Sequence, residues 1–307
     1  MSFALSSYGN RPRIEISGKT FATLKNAKEM YGQIIRVEEN FDAVMEDYVE
    51  LEETLLSLGM RYLAFRPADH VQFHSMRSVI SRRMLHLLST ARLYREALLK
   101  HGKALFRNAG TFRRLEDEVL DAPSQPMAFR IVEALRNYAQ HEELPISMMT
   151  IGSQWESFGS ENDKDRAAYS IAPKIDAVRI SNGRTIAADV RKALEELGSE
   201  AEMIGEIREY VERLGAIHSA FREMIKESED LWARAMQDAM SQYLNALHDQ
   251  KAPLVVYAIR KDGADTTDSI QLFSEFFEYR MYLRRKNGVQ TNLSRRYVKW
   301  SGHDKKK

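Results

Sequence analysis

From residue 21 to residue 60 the apolar positions Leu24, Tyr31, Ile34, Ile35, Phe41, Met45, Tyr48, Val49, Leu51, Leu55 and Leu56 recur mostly at steps of three and four. That period predicts one long helix or two. Glu38, Glu39, Asp42, Glu46, Asp47, Glu50, Glu52 and Glu53 interleave with it without an intervening cation, which reads as a solvated acidic face. Pro67 interrupts the run. Asp69, with Gln72 three residues on, has the form of a capping box and opens a second helix reaching about Lys103. Gly102 and Gly110 punctuate its end, a short helix follows over 111–120, and after the loop DAPSQP another spans 127–143. Pro145 ends that helix, because the residue before a proline is pushed out of the helical region.

Beyond Pro145 the pattern changes. Residues 146–182 hold β-branched and aromatic residues in loose alternation around the polar stretch GSENDKD, which predicts a hairpin or small sheet. Helical period returns over 185–250, where Ile207, Val211, Leu214, His218, Phe221, Ile225 and Trp232 form a seam of alternating four and three steps suited to another helix or another subunit. LVVYAI at 254–259 reads as a strand and 270–285 as a helix carrying Phe273, Phe276 and Phe277. The expected fold is mainly α: a helical bundle over 1–145, then a small β element, long helices and a basic tail over 146–307.

The net charge of +1 argues against a surface basic everywhere, so any polyanion contact must be local. With no cysteine, disulfides, thiolate zinc sites, iron–sulfur clusters and cysteine nucleophiles are excluded. The N-terminus lacks an apolar stretch long enough for a signal peptide, and no run approaches a membrane span, which makes the cytoplasm the expected location. No glycine-rich phosphate loop and no G-x-S-x-G elbow occurs. His70 and His74 stand four apart, but no glutamate completes an HExxH and no third ligand is indicated, so neither metal nor cofactor is expected.

The segment ALRNYAQHEELP carries the chemistry. Arg136 is followed by Asn137, and His141 lies five positions after Arg136. Arg213/His218 repeats this spacing and Arg95/His101 and Arg296/His303 stand six and seven apart, but of these arginines only Arg136 is followed by Asn. On a helical wheel Ala128, Ile131, Val132, Leu135, Tyr138 and Ala139 form an apolar stripe. Arg130, Asn137 and His141 fall opposite, with Arg136 at the flank. A histidine can move a proton near neutral pH, and a guanidinium can clamp phosphoryl oxygens.

This segment resembles the R-x4-6-H motif of the HEPN superfamily in its R-N-x3-H form, within the helical context of roughly residues 20–145. The resemblance implies a HEPN-like bundle acting as a metal-independent endoribonuclease, the effector of a bacterial defence or toxin–antitoxin system. Arg136 and His141 would be catalytic, Asn137 would assist, and two copies would appose their motif helices in a homodimer. Arg130 and the basic residues Arg284, Arg285, Arg295 and Arg296 are the expected RNA contacts, and an inhibitory or sensor protein is a further expected partner. A second reading stands beside it: a non-enzymatic helical protein that oligomerises through the 199–247 seam or binds RNA, with the motif face structural. Clustering of Arg136, Asn137 and His141 in a groove favours the first, and a buried or dispersed set the second.

Overall fold

The computed structural model describes residues 1–8, 11–65, 69–120, 122–144, 146–156, 166–183, 186–247, 253–288 and 292–295. The protein is mainly α, as its helical periods predict. Its elements are β1 (Ser2–Ser6), β2 (Ile14–Glu15), α1 (Gly18–Phe65), α2 (His70–Leu105), α3 (Ala109–Leu120), α4 (Met127–His141), β3 (Ile146–Glu156), β4 (Arg166–Ile175), α5 (Ala177–Ser181), α6 (Ala188–Leu197), β5 (Ala201–Glu202), α7 (Ile204–Asn245), β6 (Val256–Asp262), β7 (Asp265–Leu272) and α8 (Glu275–Lys286). Helix α1 is a single helix of 48 residues. The Asp69 carboxylate accepts the Gln72 amide at 2.8 Å, capping the start of α2 as its sequence predicts. No described helix is long and apolar enough to cross a membrane.

The helical period over 185–250 falls on two helices, α6 and α7, parted where Gly198 adopts φ +80° at the end of α6 and turns the chain into β5. Three expectations need correction. Part of the 146–182 segment is helical: the Asp176 carboxylate accepts the Arg179 amide at 3.0 Å and starts the short helix α5. The 270–285 helix begins later, since β6 and β7 form a hairpin closed by Gly263 at φ +60° and Ile270–Leu272 are strand. The acidic face of α1 is only partly solvated, for Glu38 and Asp47 are buried.

Two compact units make up the chain, with breaks after Asp42, Leu93, Val119, Ile217 and Gly288, so α1, α2 and α7 each contribute to both. In the first, an antiparallel sheet of order β2-β1-β6-β7 brings the chain's N-terminal strand beside β6. Leu5, Phe21, Leu24, Tyr31, Met236, Tyr243, Val256 and Ile270 are part of its core. In the second, β3 and β4 form a long antiparallel hairpin flanked by β5, and α4 packs against α5 and α6. Most of the α7 seam is filled within the chain: Ile207, Val211, Leu214, His218, Phe221 and Ile225 are buried, and Trp232 is half-buried against the first unit's core.

Candidate functional site

The motif lies on α4, in the second unit. Its apolar stripe is buried at Ile131, Val132 and Leu135, as the wheel predicts, but Phe129 and Arg136 are buried too. The reason is a second row at steps of four, three and four: Phe129, Glu133, Arg136 and Gln140. Phe129 packs on Tyr210 of α7 with ring centroids 4.7 Å apart, and the Tyr210 hydroxyl donates to Glu133 Oε1 at 2.6 Å. Arg136, one turn further on, is therefore only 9% exposed.

Its guanidinium is held within its own helix. One terminal nitrogen donates to Gln140 Oε1 at 3.1 Å, the other to Asn137 Oδ1 at 2.5 Å, and Nε lies 4.0 Å from Glu133 Oε2 without a hydrogen bond. Asn137 thus faces Arg136 and not His141. His141 is exposed in the last turn, with no hydrogen-bond or ion-pair partner among the described residues. The three motif residues do not converge in one chain.

Arg130 makes a two-pronged ion pair with Asp189 of α6, at 2.6 and 2.5 Å, so its charge is already met. Arg284 and Arg285 stand in the last turn of α8 beside Lys286, which is bridged to Asp42. Arg295 is exposed, and Arg296 with the rest of the basic tail lies outside the described residues. The His74 ring faces Arg77 at 3.3 Å, and no group of three or more His, Asp or Glu side chains able to hold a metal ion occurs among the described residues.

Beside the end of α4 opens a cleft of about 390 Å³, lined in part by Arg77, Tyr138, Leu144, Ile146, Asp176 and Arg179. Its charges are mutually satisfied. Arg179 pairs with Glu143 at 2.6 Å, the Tyr138 hydroxyl donates to the same carboxylate at 2.7 Å, and Arg77 donates to the Ser147 carbonyl at 2.9 Å. Burial, reinforced by the Glu143 carboxylate, pushes the Tyr138 phenol up to about 12, so it serves as a hydrogen-bond donor and not as a base. His141 does not line the cleft.

The largest polar constellation was not anticipated. In the first unit Glu38, fully buried, accepts His218 Nε2 at 3.1 Å and Arg222 at 3.0 and 2.6 Å, and lies 3.1 Å from Arg280. Arg280 also reaches Glu229 at 3.2 Å, and Arg222 donates to the Asn287 carbonyl at 3.0 Å. The His218 ring stacks on Phe41, centroids 4.0 Å apart, with Nδ1 3.1 Å from the Tyr94 hydroxyl. Burial lowers His218 to about 4 despite the carboxylate, so at neutral pH the ring donates through Nε2 and accepts from Tyr94. Burial also opposes the charge on Glu38, but the hydrogen bonds from His218 and Arg222 outweigh it and hold this carboxyl well below the ordinary range. Two guanidiniums balance two carboxylates around a neutral ring. With Glu38, His218 and Arg280 all sealed from solvent, this cluster is a structural keystone without substrate access. The one legible signal is that Glu38 occupies an apolar row, between Ile34 or Ile35 and Phe41.

No family model, curated protein or solved structure matches the chain.

Proposed function

We propose that this protein is a non-enzymatic helical interaction protein in which the R-N-x3-H segment serves the packing of α4. One observation carries the reading: the Arg136 guanidinium is buried and tied to Asn137 and Gln140, leaving His141 alone at the surface. Phosphoryl transfer to a 2′-hydroxyl needs proton transfer and charge stabilisation at one phosphate. A cation facing its own helix and a histidine facing solvent do not supply both to one group.

The exposure of His141, with the HEPN resemblance, favours a second reading: a metal-independent endoribonuclease whose site is completed by a second copy. The two separate in one experiment, incubation of total RNA with the wild-type chain and with His141→Ala, each with and without EDTA. The interaction reading expects no cleavage by either protein. Cleavage that survives EDTA, leaves a cyclic phosphate and disappears in His141→Ala would overturn it in favour of the second.

A further inference from the structure

The long hairpin of the second unit has an unpaired side. In its sheet β3 pairs with β4 alone, so the outer edge of β3 presents backbone amides and carbonyls with no strand to take them. Soluble proteins usually blunt such an edge with charge or proline, because it is a template for another extended chain. Here the edge is bare: ISMMTIGSQW, residues 146–155, holds no charged residue and no proline. Ser147, Met148 and Thr150 are exposed. From Ile146 to Gly152, the one described group outside the sheet that bonds to the β3 backbone is the Arg77 guanidinium of α2, which donates to the Ser147 carbonyl at 2.9 Å.

Arg77 selects the occupant and its direction. Ser147 is the extra residue of a bulge, opposite no residue of β4, and it marks the start of the strand. Arg77 is half-buried beside it and bonds there to a neutral carbonyl and to the His74 ring, with no carboxylate in ion-pair distance among the described residues. Of the other charges around the adjoining cleft, Arg179 and Glu143 neutralise each other and Asp176 caps the start of α5. The Arg77 fork keeps donors in reserve for an anion. A strand added antiparallel to β3 ends where β3 begins, so its terminal carboxylate comes to Arg77. A parallel strand would bring its ammonium to the same cation.

We infer that β3 takes the C-terminal segment of a partner protein as an added antiparallel strand, its main chain on the β3 edge, its carboxylate on Arg77 and an apolar last side chain in the cleft of about 390 Å³ against Leu144, Ile146 and Ile180. Main-chain hydrogen bonds make the recognition tolerant of sequence. The requirement for a free C-terminus comes from Arg77, since a guanidinium binds a carboxylate more strongly than a neutral amide. The inference rests on the interaction reading and deepens it by naming the chemistry of the partner.

The test is fluorescence anisotropy of the whole chain with an N-terminally labelled octapeptide pool, randomised at every position but the last and ending in leucine, offered as the free acid and as the C-terminal amide. Wild type is expected to bind the free acid on the order of tenfold more tightly than the amide. Arg77→Met should lose that preference and Arg77→Lys, which keeps the charge but not the fork, should keep part of it, with circular dichroism confirming that each folds. Hydrogen exchange read by mass spectrometry should slow over Ile146–Glu156 when the free acid saturates the protein and stay unchanged over Asp265–Leu272, the edge strand of the other sheet. No binding of either pool, equal binding of acid and amide by wild type, or binding that leaves exchange in β3 unchanged would each overturn the inference. So would β3 exchange that slows with protein concentration alone, which would assign the edge to a second copy. RNA cleavage lost in His141→Ala would sink the interaction reading, whereas absent peptide binding without cleavage sinks only the inference, so the two failures are distinguishable.

Discussion

Replacing Glu38 by alanine removes the shared acceptor of the buried cluster, and the structure sets the scale of the loss. Glu38 is fully buried and takes hydrogen bonds from His218 and Arg222, with Arg280 3.1 Å away. Without it Arg280 keeps Glu229 as its counter-charge, Arg222 keeps the Asn287 carbonyl but no carboxylate, and His218 Nε2 loses its acceptor. Breaking a buried pair by deleting one partner costs about 3–5 kcal/mol, because the surviving charge stays desolvated. The expected result is a loss of that size in urea unfolding followed by circular dichroism, with the melting temperature lower by on the order of 10 °C. Glu38→Gln keeps the shape and one carbonyl acceptor, so its loss should fall between wild type and alanine. Glu29→Ala, an exposed acid on the same helix, should stay within about 0.5 kcal/mol. A Glu38→Ala protein that loses less than about 1 kcal/mol would refute the keystone assignment.

Acidification should act on the same cluster. The folded chain accepts the His218 proton only near pH 4, whereas an unfolded chain does so near 6.5. Between those values the unfolded state therefore binds more protons, and stability falls as pH drops, by about 3 kcal/mol over the window. Urea midpoints at pH 6.5, 5 and 4 check the slope, and a flat profile would oppose a neutral His218. Arg136→Ala should destabilise by about 1–3 kcal/mol, because Asn137 and Gln140 lose their donor and the buried side of α4 loses packing, whereas His141→Ala should change stability by no more than about 0.5 kcal/mol; paired melting curves compare them. Lys28 sits over the rings of Phe276 and Phe273, 3.4 and 4.3 Å from their centroids, and burial lowers its ammonium to about 8. Its charged form is thus less favoured folded than unfolded, so NMR should find it titrating below the other lysines and stability should gain as pH rises from about 8 towards 10.5.

Much of the helical frame was legible because α1, α2 and α4 repeat apolar residues at helical steps over many turns, and because Asp69 and Gln72 mark a start that backbone chemistry requires. Strand β1 was not, since its pairing with β6 joins residues about 250 positions apart, and β2, two residues paired with β1, is too short to leave a local period. The motif residues were legible as types but not as neighbours. A wheel drawn from the strongest apolar stripe put Arg136 on the polar flank. The row from Phe129 through Glu133 to Gln140 was readable, but its meaning depended on Tyr210, which the sequence does not place beside it. Glu38 was hidden for a similar reason: a carboxylate in an apolar row looks like a solvated break until His218, Arg222 and Arg280 arrive from distant segments.

Ribonuclease activity measured fraction by fraction across the size-exclusion peak tests the central claim most directly, with wild type and His141→Ala run in parallel on a labelled RNA. Co-elution separates activity of this chain from that of a contaminant. The structural role of the motif predicts that cleavage tracks neither protein peak and that the two profiles coincide. Cleavage that follows the wild-type peak and is missing from the His141→Ala peak would contradict it.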